Sequence, residues 1–164
     1  MRHVIPTSLF IAASLVSGIS AAEETAFSSI VNDYEAMRQV LIDDSTEGIA
    51  DHARSIASTA AMLAADFSPS AAAVSADNAD AVRALLPEIN DLAMKVATAS
   101  DLDTIRNEVA EMTKPLVRWH GLIEGPRPVV AYCPMVKKAW LQPDEAIGNP
   151  YAPNMLRCGE VVQR

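Results

Sequence analysis

The sequence is poor in the residues that most often carry chemistry. It has only 2 cysteines, 3 histidines and 6 glycines in 164 residues, and aromatic residues make up 5% of it. The absence of a Cys-x-x-Cys-His motif excludes covalently attached haem. The thin aromatic content also argues against a haem-binding four-helix cytochrome. We find no phosphate-binding loop, no nucleophile with its base and no paired carboxylates in a supporting context, so we expect no enzymatic activity.

Basic residues are scarce as well. The chain carries 13 lysines and arginines against 21 aspartates and glutamates, which gives a formal net charge of -8. This acidic balance argues against nucleic acid and anionic membrane surfaces as partners. It is compatible with a metal cation as partner.

The first 22 residues have the pattern of a secretory signal peptide. Arg2 and His3 form a short basic region, residues 9–16 form an apolar core, and Ser20 to Ala22 are small residues at the expected cleavage site. The apolar run is too short for a permanent membrane span, and no cysteine follows that could carry a lipid. We therefore expect residues 1–22 to be a signal peptide. Residues 23–164 would form a single domain, periplasmic or secreted and without stable membrane insertion.

Residues 24–120 have the pattern of four amphipathic helices. Apolar residues recur at helical spacing, as at Ile30, Tyr34, Met37 and Leu41. Short polar breaks separate the segments, and Pro87 predicts either a kink or a late start for the third. An all-α, up-and-down four-helix bundle is the expected fold. The predicted helices cover about 25–42, a segment that begins near Ser45 and ends near Phe67, 78–99 and 101–120.

A turn-rich hairpin of about residues 129–162 is expected after the bundle. Prolines and glycines recur between residues 143 and 153, which disfavours a helix. Both cysteines lie in this segment, and each has a methionine close by: Cys133 with Met135, and Cys158 with Met155. We expect Trp140 and the tyrosine at position 151 to hold the hairpin against the bundle.

Two interpretations of the sulfur residues stay open at the level of sequence. Thiolate and thioether donors together select soft ions such as Cu(I) or Ag(I), so Cys133, Met135, Met155 and Cys158 are candidate metal ligands. His120, at the end of the fourth helix, is a possible additional ligand. Alternatively, the two cysteines form a disulfide, as is common in exported proteins, and the methionines are apolar filling.

The hairpin sequence resembles a family of uncharacterised bacterial domains that occur alone or fused to periplasmic heavy-metal efflux adaptors. The shared signature is Cys133-Pro134-Met135, then Trp140-Leu141, Asn149-Pro150-Tyr151 and Met155-x-x-Cys158-Gly159. The resemblance is strong over 132–159 and weak over the helical part. Gln142 and the segment Ala152 to Asn154 depart from the family pattern, and the second departure bears on how Met155 is oriented.

The resemblance implies a role in copper or silver homeostasis. We expect an exported protein that binds Cu(I) or Ag(I) and acts as a chaperone, a buffer or an efflux accessory. A periplasmic efflux adaptor or pump is the implied protein partner. The alternative is an interaction module, closed by a disulfide, that docks on an envelope efflux complex without binding metal.

Overall fold

The computed structural model describes residues 24–164, so the predicted signal peptide lies outside the described residues. Within these residues, four α-helices are followed by three short β-strands. Two 3₁₀ segments, Ala76–Asn78 and Pro153–Met155, precede α3 and β3 respectively. The elements are α1 (Ala26–Ile42), α2 (Ile49–Ala65), α3 (Ala79–Thr98), α4 (Leu102–His120), β1 (Val129–Cys133), β2 (Lys138–Gln142) and β3 (Glu160–Gln163).

The four predicted helices are confirmed, with boundaries set by local caps. The side chain of Thr25 accepts a hydrogen bond from the Ser28 amide at the start of α1. Asp101 accepts from the Thr104 amide in the same way at the start of α4. Such caps satisfy amides that have no partner within the helix. The second helix begins slightly later than the predicted start near Ser45: Gly48 is its N-cap residue, with φ 78°.

Pro87 lies inside α3 and does not delay its start. The helix is continuous from Ala79 to Thr98, so of the two alternatives predicted for Pro87, a kink or a late start, the late start is wrong. A proline in a helix removes one backbone hydrogen bond. Leu86 and Ile89, on either side of Pro87, are both fully buried, and the packing of this face keeps the segment helical.

The predicted all-α class is wrong, because the C-terminal part forms a three-stranded antiparallel sheet and the fold is α+β. The strand order is β2-β1-β3, with β1 at the centre. The predicted hairpin of about residues 129–162 spans β1, β2 and the start of β3, and β1 pairs with β2 with Ala131 opposite Trp140. The third strand pairs Val161 with Ala131 on the other side of β1. Its residues are largely exposed and show no alternation of buried and exposed positions, so nothing in their local pattern predicted a strand.

The helices pack in chain order, and the sheet lies against the first and the last of them. Each helix contacts the next, while β2 packs on both α1 and α4. Buried side chains join α1 to α4: the rings of Phe27 and Trp119 lie 5.1 Å apart, and the Tyr34 hydroxyl is 2.8 Å from Thr113 Oγ1. The core is therefore continuous from the helices into the sheet.

The linker between α2 and α3, residues 66–78, is packed against the rest of the protein. Trp119 Nε1 donates to the carbonyl of Ala72, and Val74 forms an isolated bridge with Ile123. Ala72 is fully buried.

Within residues 24–164, none of the helices combines the length and the apolar character that a bilayer crossing requires.

Candidate functional site at the cysteine pair

Cys133 and Cys158 form a disulfide between the end of β1 and the loop that leads into β3. Their Cα atoms lie 5.7 Å apart, and the bond encloses a chain separation of 25 residues. Cys133 is fully buried, whereas Cys158 is partly exposed at the edge of the core. Neither cysteine is free. Of the two open interpretations of the pair, the structure contains the disulfide.

Each methionine is held near its cysteine by a tight turn. Met135 lies in the turn between β1 and β2, which is closed by a 2.8 Å hydrogen bond from the Lys137 amide to the Cys133 carbonyl. Its side chain is 71% exposed. Met155 ends the second 3₁₀ segment, and its carbonyl accepts from the Cys158 amide at 2.8 Å. These turns keep the backbone of each methionine close to that of its cysteine.

Asn149 organises the loop that carries Cys158. It is fully buried, and its backbone amide donates to the Leu156 carbonyl. Its side-chain amide donates to the Cys158 carbonyl at 3.2 Å, and its side-chain oxygen accepts from the Tyr151 amide at 2.9 Å. The Asn149 side chain thus links Tyr151, near the start of the loop, to Cys158 at its end. This contact fixes the position of the Cys158 backbone.

Two buried arginines from the helices hold the same loop. Arg38 of α1 donates to the Gly148 carbonyl at 2.6 Å, and Arg106 of α4 donates to the Pro150 carbonyl at 3.0 Å. Arg106 also bonds the Leu41 carbonyl and forms an ion pair with Asp44. These contacts were missed by sequence reasoning, because arginines on amphipathic helices usually face solvent.

Trp140 and Tyr151 hold the sheet and loop against the helices, as predicted. Trp140 is fully buried and packs edge-on against Tyr151, with ring centroids 6.2 Å apart. The Tyr151 hydroxyl donates to the Ala139 carbonyl at 3.1 Å and lies 3.3 Å from Thr113 Oγ1. Burial raises the pKa of Tyr151 well above its usual value, so the hydroxyl is a neutral donor. This contact joins the sulfur-bearing segment to the bundle core.

His120 is not brought to the cysteine pair. Its Nε2 lies 2.7 Å from the Pro128 carbonyl, just before the first residue of β1, whereas Cys133 is the last residue of that strand. Five residues of extended chain span about 16 Å. Burial lowers the pKa of His120, so the ring is a neutral donor to Pro128. Its Nδ1 is buried and has no hydrogen-bond partner among the described residues.

Within the described part of the chain, no group of three or more His, Cys, Asp or Glu side chains is arranged to hold a metal ion. Comparison of the chain with protein-family models, curated proteins and solved structures gives no match. The family resemblance stays a prediction that rests on the motif residues themselves.

Proposed function

We propose that this protein is an exported binder of a soft monovalent metal ion, Cu(I) or Ag(I), that acts as a chaperone, buffer or efflux accessory. The ligands are the thiolates of Cys133 and Cys158, with Met135 and Met155 as weaker thioether ligands. The observation that supports this most is the placement of the two cysteine sulfurs at bonding distance within a rigid frame. The same placement serves two chemical states, a disulfide and a dithiolate.

Reduction of the disulfide changes the site only locally. With the zinc–thiolate bond length of about 2.3 Å as a guide, two thiolates that share an ion are at most about 4.6 Å apart, compared with about 2 Å in a disulfide. Rotation of the cysteine side chains about their χ1 bonds supplies this difference. The Cα separation of 5.7 Å then needs little adjustment, because β1 and the loop at Asn149 keep their backbone hydrogen bonds.

The methionines give the site its selectivity for soft ions. Thioether sulfur binds Cu(I) and Ag(I) but adds little for a borderline ion such as zinc. Met155 lies in the turn that leads directly to Cys158, and Met135 is exposed in the turn that follows Cys133. An exposed, unbranched thioether is free to change rotamer, so Met135 is suited to capture an ion from solvent or to pass it on.

Native mass spectrometry with Ag(I) tests this proposal. Reduced protein under anaerobic conditions is expected to take up one Ag(I), while Cys133→Ser and Cys158→Ser lose that complex. Met135→Leu and Met155→Leu, which are close in volume to the native residue, should retain the complex with weaker binding. Met62→Leu is the matched control, because Met62 is 63% exposed on α2 and far along the chain from the cysteines. Equal Ag(I) uptake by wild type and both serine variants would contradict the proposal.

The second candidate function is an interaction module, closed by its disulfide, that docks on an envelope efflux complex. The bonded state of Cys133 and Cys158 favours it. Thiol counting on protein taken directly from the periplasm distinguishes the two candidates. Two free thiols favour metal binding, and a fully oxidised pair that resists mild reductant favours the module.

A further inference from the structure

A groove lies between α4 and the β1–β2 hairpin, and neither the disulfide nor the proposed metal ligands line it. It encloses about 470 Å³, within the range of about 300–1,000 Å³ that is typical of small-molecule sites. Its floor consists of small or apolar side chains of both elements. They are Ala110, Thr113 and Val117 of α4 with Tyr132, Val136 and Ala139 of the hairpin. We refer to it as the α4–hairpin groove.

The rim of the α4–hairpin groove is positively charged in an otherwise acidic protein. Lys114, Lys137 and Lys138 line it, and Glu111 is the one carboxylate among its lining residues. Glu111 forms an ion pair with Lys114. Lys137 and Lys138 have no carboxylate partner within 4 Å among residues 24–164, unlike most of the arginines there. Two adjacent cations are thus left for an anion to neutralise.

Lys138 is a partly buried cation. Its Nζ donates to Asn107 Oδ1 at 2.7 Å and lies 5.1 Å from the centre of the Tyr151 ring. Burial lowers the pKa of Lys138, and Glu111 opposes this shift. A partly desolvated ammonium gains more from an added anion than a fully solvated one does.

Lys137 occupies a backbone conformation that lysine rarely adopts. Its φ is 54°, in the left-handed region where glycine and asparagine are preferred. A strained, non-glycine residue is an observation that motivates a search for function at that position. Here the strained residue is one of the two unpaired cations on the rim.

We propose that the α4–hairpin groove binds a small amphipathic carboxylate. Its apolar body lies on the floor between Val117 and Tyr132, and its carboxylate is bound by the ammonium groups of Lys137 and Lys138. This site is independent of the proposed metal function, because it needs neither the thiolates nor a metal ion. It is complete in the oxidised protein.

Calorimetric titration of oxidised protein with decanoate tests the proposal. Decyltrimethylammonium and 1-decanol have the same apolar body and serve as probes of the charge requirement. Decanoate is expected to bind at least about tenfold more tightly than either, because hydrogen bonds between its carboxylate and charged groups are stronger than those between neutral groups. Its affinity should fall as salt rises. Equal affinities for decanoate and the cationic probe would overturn the proposal.

Substitution of the rim lysines identifies the site. Lys137→Gln with Lys138→Gln should weaken decanoate binding at least about tenfold. The control pair, Arg54→Gln with Lys95→Gln, removes the same charge from α2 and α3, outside the groove, and should leave the affinity unchanged. Loss of affinity in both pairs alike would show a general charge effect and contradict the proposal.

Lys137→Gly separates binding from folding. It relieves the left-handed strain, so the melting temperature should rise, while the decanoate affinity should fall several-fold. A more stable protein that binds less tightly cannot be explained by damage to the fold. Unchanged affinity in Lys137→Gly would contradict the assignment of Lys137 to the site.

Discussion

Reduction of the Cys133–Cys158 disulfide should lower the free energy of unfolding by about 3.5 kcal/mol. The value follows from the chain separation of 25 residues, because a cross-link removes loop-closure entropy from the unfolded chain. The folded state should change little, since the loop keeps the contacts of Arg38, Arg106 and Asn149. The effect therefore arises mainly in the unfolded state.

Two single substitutions separate this entropic effect from packing. Cys158→Ser removes the cross-link at a partly exposed position, so it should cost about as much as reduction does. Cys133→Ser also removes it, but its hydroxyl replaces a sulfur that is fully buried. A buried hydroxyl without a partner costs about a further 1–3 kcal/mol in proteins. Cys133→Ser should thus be the less stable variant.

Urea unfolding followed by far-UV circular dichroism measures these differences. The dependence of the unfolding free energy on urea should be steeper without the cross-link, because the unfolded chain exposes more surface. A loss of less than about 1 kcal/mol on reduction would refute the entropic argument. Equal stabilities for Cys133→Ser and Cys158→Ser would refute the argument from burial.

Three further substitutions test the packing of the site. Trp140→Ala should cost about 3–5 kcal/mol, because Trp140 is fully buried, and hydrogen exchange should show the sheet opening while the helices stay protected. In thermal melts, Gly159→Ala should lower the melting temperature more than Gly125→Ala does. Both glycines have positive φ, so the backbone strain is shared. At Gly159 an added Cβ would lie 2.5 Å from the Trp140 ring, whereas at Gly125 it would lie in open space. The pKa of His120 is lower in the folded state than in the unfolded state. As the pH falls, the unfolded chain therefore takes up a proton at His120 before the folded protein does, so stability should fall as pH drops below about 6.5. When melting temperature is measured against pH, this decrease should be absent in His120→Gln and present in the control His52→Gln.

The sequence predicted the helices well because their signals are local. Apolar spacing at Ile30 and Tyr34 and the cap at Asp101 depend on residues within one or two turns. Pro87 misled in part, since burial of its neighbours outweighed its local preference.

The third strand and the loop anchors could not be predicted, because they depend on contacts distant in sequence. Strand β3 pairs with β1 across about thirty residues and has no apolar alternation of its own. Arg38 reaches Gly148 across 110 positions, and Arg106 reaches Pro150 across 44. For His120, the sequence suggested a contact that the structure does not contain. Its residue type suits a metal ligand, but it lies at the far end of β1 from Cys133.

Titration of Cu(I) in the presence of a chromophoric Cu(I) competitor tests the central claim most directly. Reduced protein is expected to withdraw one equivalent of Cu(I) from the competitor. The same protein with the Cys133–Cys158 disulfide intact should withdraw much less, because ligation requires the thiolates. Zinc should not compete for the reduced site. The same Cu(I) affinity in reduced wild type and in Cys133→Ser would contradict the assignment of this site and favour the interaction module.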